Sequence, residues 1–482
     1  MIPAKSSFLW FHDTGQKNRR FFLLEKIQSF FKIRERGSSV KTEVLAGLTT
    51  FLAMAYILPV NSAMLSQTGM PFGGVFLATA LSALIATLIM GLFANYPVAL
   101  APGMGVNAFF TFTVVFGYGL SYQAALAAVF ISGVLFLIIS VSGLRKYVID
   151  AIPDALKIAV GAGIGFFITF IGLTNAGIIV DDGATLVALG DFSNPAVLLG
   201  LFGLVVAVAL YAAGNKFSII LAIGITTVVG VVLGLLGVEY MPAYSAQGLD
   251  GLFSGLSEIG FSFLSGFGDL LASPEAFLII FTFLFVDFFD TAGTLIGIGK
   301  EANLINEEGE LEGGNAPLVA DSLGTVIGAA LGTSTVTSYV ESTTGIEQGG
   351  RTGLTSVTVA LLFVLALLLY PLLSVVNGVV VGFNDFGEAI VYSPVTAMAL
   401  IMVGALMIGQ LKDLDFSDKA AVIPAFFTIV FMILAYSIAE GIAMGFIFYP
   451  ITMAASKRAK DVHPVMWALL VVFVLRFALE VL

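Results

Sequence analysis

Fourteen apolar runs, most of them long enough to cross a bilayer, follow one another along the chain with only short polar breaks between them. They lie near 43–63, 72–93, 102–117, 121–142, 155–175, 196–213 and 217–236, and again near 275–298, 317–331, 342–350, 354–376, 391–410, 421–437 and 439–454. A helix of roughly 20 residues matches the hydrocarbon thickness of a membrane. Hydrocarbon offers no water to backbone N–H and C=O groups, so such runs must satisfy them internally as helices. Of the 482 residues 58% are apolar and only 11% charged, against about 25% charged in a soluble domain. The fold class is therefore an all-α polytopic membrane protein. A further apolar stretch at 464–481 leaves two placements open, on the membrane surface or across it.

The basic residues order these runs. With the N-terminus on the cytoplasmic side, Lys and Arg should gather before the first span and after even-numbered spans. Nine precede span 1, from Lys5 to Lys41, and all but one of the 21 obey the rule. The exception, Arg476, lies in the last stretch, where Glu480 four residues on is its expected partner. Segments 176–194, 237–274 and 378–390 contain no Lys or Arg and should lie outside. Residues 18–36 read as a basic amphipathic helix on the cytoplasmic leaflet, and the acids of 301–312 as a solvated loop. The net charge of −11 comes mostly from loops, so no nucleic-acid partner is expected. The absence of Cys excludes disulfides and thiol chemistry. His12 and His463 lie outside the spans, so no His metal site is expected. A polar, basic N-terminus does not read as a cleavable signal.

Seven spans per half is an odd number, which turns the two halves into inverted repeats. The third and tenth spans are short and irregular in matching places: NYPVALAPGMGVNAFF (95–110) and GTSTVTSYVESTTGIEQGG (332–350). Each should pass from an extended piece into a half-helix, at Pro102-Gly103 and near Ser342, the Pro standing in the first helical turn. Paired interruptions of this kind point to a transport site.

Carboxylates at this depth are costly and usually face a polar cavity. Asp287 and Asp290 sit three apart on one face of span 8. An acid there with no basic partner exchanges a proton readily, which suits proton coupling. The structural alternative is an acid held by Ser and Thr hydroxyls. Glu341 stands at the start of the tenth-span half-helix, either as a ligand acid or as an N-terminal cap with Ser342 or Thr343. Tyr339 shares its face if the segment is extended, and an aromatic beside a carboxylate can cradle a flat heterocycle. Asn107 is either a ligand contact or an interhelical bond. A D-x-x-D pair can also hold a metal–diphosphate, but no basic residues surround it.

The segments APGMGVNAFF, FVDFFDTAGTLIG, TSTVTSYVESTTGIEQGGRTGLTS and AEGIAMGFIFYP resemble the azaguanine-type purine permeases, relatives of the nucleobase–ascorbate transporters, over about residues 38–480. The resemblance implies a uracil-permease-like fold of 14 spans in 7+7 inverted repeats. It implies a core domain (41–150 and 274–378) and a gate domain (151–240 and 379–456), with a basic N-terminus (1–40), an extracytoplasmic loop (241–273) and a C-terminal apolar helix (457–482). It implies import of adenine, guanine or hypoxanthine by proton symport across the cell membrane, in a homodimer, without cofactor or metal. Asp290, Glu341, Tyr339, Asn107, Ser342 and Thr343 are the expected substrate-binding residues, and Asp290, Asp287 and Glu341 the proton-coupling ones. An anion exchanger of the same fold and a metal-dependent membrane transferase are the alternative functions.

Overall fold

The computed structural model describes residues 25–244, 248–306, 311–376, 378–383 and 389–481. The first run forms α1 (Val40–Met54) and α2 (Ile57–Ser66), broken at Ala55-Tyr56. Pro59 explains the break, since it has no N–H to give the carbonyl of Ala55. Then come α3 (Phe72–Ile89), strand β1 (Leu100–Pro102), the half-helix α4 (Met104–Ala108), α5 (Tyr122–Ser142), the short α6 (Arg145–Ala151) and α7 (Asp154–Asn175). A hairpin of β2 (Ile179–Asp182) and β3 (Leu186–Leu189) leads to α8 (Pro195–Ala212) and α9 (Ser218–Leu235). Two short helices, α10 (Asp250–Ile259) and α11 (Phe263–Ala272), join the halves.

The second half opens with α12 (Ala276–Glu301) and α13 (Ala316–Leu331), then strand β4 (Val336–Ser338), half-helix α14 (Ser342–Glu347) and α15 (Gly353–Ala366). A second hairpin, β5 (Val379–Phe383) with β6 (Ala389–Tyr392), precedes α16 (Ala397–Met407), α17 (Lys419–Leu434), α18 (Ile438–Ala455) and α19 (Pro464–Val481). Among the described residues nine helices are long and apolar enough to cross a membrane, and shorter apolar helices fill most remaining positions. The fourteen expected segments all appear, the third and tenth as strand plus half-helix.

At the centre β1 and β4 pair antiparallel, Leu100 opposite Ser338, Ala101 opposite Thr337 and Pro102 opposite Val336. All six residues are buried. Non-helical backbone at this depth persists only inside protein, and neighbouring side chains satisfy it here. Thr87 Oγ1 accepts from the Leu100 N–H at 2.9 Å, Ser342 Oγ accepts from the Ala99 N–H at 3.0 Å, and Ser356 Oγ donates to the Tyr96 carbonyl at 2.6 Å. Pro102 closes the strand rather than opening the helix. Gly103 caps α4 instead, and a Cβ there would come within 2.5 Å of the Thr337 methyl.

Two expectations for the polar segments change. Residues 1–24 lie outside the described part; after them the helix stops at Phe30, short of 36. Phe31 and Ile33 turn into the protein, 5% and 0% exposed, and Arg36 donates to the Asn95 carbonyl at 2.6 Å and pairs with Glu312 at 3.3 Å. Burying two apolar side chains outweighs continuing the helix along a surface. The 300–316 loop is likewise packed at its described ends, with Leu304 and Leu311 each 2% exposed. Arg476 turns to Glu440, 2.7 Å away; the side chain of Glu480 lies outside the described part. A partner on a neighbouring helix lets both charged groups leave the apolar surface together.

The stretch at 464–481 packs along α18 as an apolar helix. Its first end lies by α6, where the His463 and Tyr147 rings meet at 5.2 Å. Phe473 packs on Phe446 at 5.9 Å, and Arg476 reaches Glu440 at the start of α18. The helix runs antiparallel to α18 for about 27 Å at 1.5 Å per residue.

Candidate functional site

The strands β1 and β4 and the break after α1 bring the polar residues of five elements together. α12 carries Asp287, Asp290 and Thr291; α13 carries Asp321 and Thr325; β4 carries Thr337 and Ser338. Glu341 is the first residue before α14, and its side chain makes no capping bond to that helix. Instead its Oε1 accepts from the Tyr56 hydroxyl at 2.6 Å.

Asp290 lies deep within the molecule yet remains exposed to open space, as do Gly293, Gly297 and Lys300. These positions recur every three or four residues, so they form one stripe from mid-helix to the basic end of α12. No atom would lie within 4 Å of a Cβ placed on Gly293 or Gly297. Toward the other end of α12 the same face is covered at Phe283, Val286 and Asp287. Val340, just before α14, is 59% exposed; on α14, which packs against α12, Thr343 and Thr344 are half-buried and Glu347 is exposed. The two helices thus border a vestibule that opens at the face where Lys216 pairs with Glu347 and Arg36 meets the Arg351 carbonyl.

The opposite face is shut. The Tyr436 ring is wedged between Phe112, 6.3 Å away, and Phe167 and Phe170, at 5.4 and 5.8 Å. The Tyr118 hydroxyl donates to Glu440 at 3.2 Å, and Arg476 holds the same carboxylate. Among the described residues the exposed stripe of α12 runs from Asp290 to the basic face.

The expected residues separate into two groups. Asp290, Glu341 and Thr343 reach the vestibule. Asp287 is 1% exposed; its Oδ2 accepts from Thr325 Oγ1 at 2.9 Å, and its Oδ1 has no partner among the described residues. Asn107 is fully buried, accepts from Ser334 Oγ, and keeps an Nδ2 donor with no partner among the described residues. Tyr339 is 6% exposed and donates to the Pro102 carbonyl at 2.5 Å. Ser342 is buried and holds the Ala99 N–H. Thr343 donates to the Val340 carbonyl at 2.8 Å.

Two residues of the cluster escaped the reading of the sequence. Asp321 is a second buried carboxylate in the cluster, beside Asp287, accepting from Ser338 Oγ at 2.7 Å and Thr291 Oγ1 at 2.9 Å. Its signal was the one that singled out Asp290, an acid inside an apolar run. Tyr56 was marked only by the helix-breaking Pro59 three residues on.

A profile of the permease family matches residues 41–444. The chain belongs to that family. It is 45% identical over 460 residues to the guanine/hypoxanthine permease PbuG of Bacillus subtilis, covering 94% of this chain and 99% of that one. It is 39% identical over 454 residues to the adenine permease AdeP of Escherichia coli, covering 94% and 96%. The resemblance to azaguanine-type purine permeases thus holds along nearly the whole chain, which is a permease and not an enzyme. Among solved structures, the transmembrane domain of a cyanobacterial bicarbonate transporter, BicA, superposes with a TM-score of 0.56, covering 83% of this chain and 96% of that one. At 16% identity that likeness concerns the fold, the uracil-permease-like arrangement of inverted repeats.

Proposed function

We propose that this permease imports purine nucleobases together with protons. The observation that carries this reading is the pair of carboxylates, Asp290 and Glu341, bordering one vestibule with no basic side chain bonded to either among the described residues. A purine offers adjacent N–H donors and ring acceptors on a flat face. Carboxylate oxygens can accept the N–H groups. The substrates for which the relatives above are named, guanine, hypoxanthine and adenine, fit the same pattern.

An acid bordering such a cavity without a counter-cation can take up a proton when empty and release it on the other side. Asp290 is the coupling group in this reading because it is open to the vestibule, whereas Asp287 is sealed. Basic loops on the cytoplasmic side make the conformation inward-facing, with the N-terminus inside. Transport is the movement of a core domain (41–150 and 274–378) against a gate domain (151–240 and 379–456) in a homodimer. The Phe112–Tyr436 and Tyr118–Glu440 contacts then part as the outer side opens.

Uptake of labelled hypoxanthine into proteoliposomes tests the reading. Guanine, adenine and hypoxanthine compete, uracil and bicarbonate do not, and a proton gradient drives accumulation. Competition by bicarbonate in place of the purines would overturn it.

A further inference from the structure

Asp321 belongs to none of the roles assigned above, yet it is wholly buried and pairs with no cation among the described residues. A side chain that only tied α13 to β4 could be an amide. A chain of hydroxyls leads from this acid to the vestibule. Thr291 Oγ1 donates to Asp321 Oδ1 at 2.9 Å, Thr291 and Thr337 hydroxyls are 2.9 Å apart, and Thr337 Oγ1 lies 3.5 Å from Asp290 Oδ2. We propose that Asp321 is a second proton-binding group, joined to Asp290 by a two-hydroxyl wire through Thr337 and Thr291. The proposal rests on the proton-coupled reading above and names where the proton resides during transport.

Counting hydrogens gives the reason. The chain has three links, and each hydroxyl supplies one hydrogen. Two threonines therefore fill two links. With both acids ionised one link lacks a hydrogen; with one proton added all three are filled. That proton can sit at either end. When the Asp290 carboxyl gives its proton to Thr337 Oγ1, Thr337 passes its own to Thr291 Oγ1, and Thr291 passes its own to Asp321 Oδ1. Three O–H bonds break, three form, and both threonines finish neutral. Asp290 is then an anion facing the vestibule, free to accept purine N–H groups, and the symported proton lies behind it. The 3.5 Å link is the long one, so transfer waits on Asp290 swinging toward Thr337.

The ionisable groups around the wire are few. Asp287 and Asp290 face it from α12, and Glu341 and Tyr339, from the segment ahead of α14, flank its Asp290 end. The neighbouring α3 brings none, and α5 brings only Tyr122 at its far end. β1 brings none and β4 brings the Ser338 and Thr337 hydroxyls. Along the wire the bonded partners are hydroxyls and carboxylates.

The test compares Thr291→Val, Thr291→Ser and Asp321→Asn in proteoliposomes. Two quantities are read from each: hypoxanthine counterflow without a gradient, and accumulation driven by an imposed pH gradient. Valine keeps the shape of threonine and loses the hydroxyl; serine keeps the hydroxyl and loses the methyl. The ratio of driven accumulation to counterflow should fall roughly tenfold in Thr291→Val, equivalent to about 1.4 kcal/mol of lost coupling. It should stay near the unmodified value in Thr291→Ser, and fall again in Asp321→Asn. A packing role for Thr291 would give the reverse order of valine and serine. If Thr291→Val keeps the ratio within about twofold, a change of less than 1 kcal/mol, the wire is wrong. Should Asp321→Asn not fold, the Thr291 pair still decides. Unmodified protein that exchanges hypoxanthine but accumulates none under the gradient overturns the coupled reading itself, and the wire with it.

Discussion

The Tyr56 hydroxyl lies 2.6 Å from Oε1 of Glu341, and this contact joins the break in the first span to the half-helix of the tenth. A tyrosine at that place supplies a donor to a carboxylate that has no basic partner among the described residues. It also leaves the second carboxylate oxygen for a ligand.

Replacing Glu341 by Gln keeps the shape but turns one acceptor into a donor. Loss of a charge-assisted bond should weaken purine binding by about 1.5–3 kcal/mol, on the order of 10- to 100-fold in apparent affinity. Tyr56→Phe should act in the same direction but less, because the carboxylate survives. Competition of labelled hypoxanthine uptake measures both. An unchanged affinity in a correctly inserted Glu341→Gln variant would remove Glu341 from the site.

Asp290→Asn holds the residue in a permanently neutral form. It should retain purine exchange and lose uphill uptake under a pH gradient. Asp287→Asn should be milder, since Asp287 is sealed from the vestibule. Driven accumulation surviving in Asp290→Asn, and lost in Asp287→Asn, would transfer the role to Asp287.

The chain has no Cys, so single cysteines can be introduced without background. Ser254 and Asn306 are both exposed, on the α10 segment and beyond the basic end of α12. Ser254→Cys should react with an impermeant maleimide in whole cells, and Asn306→Cys should not. The opposite labelling reverses the orientation derived from the basic loops.

The Arg476–Glu440 pair is mostly buried, with side chains 15% and 16% exposed. Removing one member strands the other charge at a cost of up to about 3 kcal/mol. Arg476→Met should therefore lower the melting temperature in detergent, and Arg476→Met with Glu440→Gln should recover most of the loss. Equal loss in the single and double variants would show that the ion pair is not what seats α19.

Much of this molecule could be read from residues alone. The apolar runs and basic loops set the number and order of spans, because hydrocarbon thickness and the charge rule act on each segment separately. Asp290 and Glu341 stood out for the same local reason. What could not be read were relationships between segments. Nothing near Tyr339 in sequence says that its hydroxyl holds the Pro102 carbonyl, and nothing near Arg476 points to Glu440. Asp321 is the instructive case. Its cost in the membrane was as visible as that of Asp290, but only the fold places two threonines between them.

The central ribbon also dictates an order of assembly. Tyr339 and Pro102, which its hydroxyl holds, are 237 positions apart. Synthesis proceeds at about 5–20 residues per second, so the first strand stays without its mate for on the order of ten seconds to a minute. Throughout that interval the first repeat sits in the bilayer with the backbone groups of β1 unmatched on one edge. The nascent first half therefore needs a temporary companion, such as lipid headgroups, water or the insertion machinery, until its twin is made.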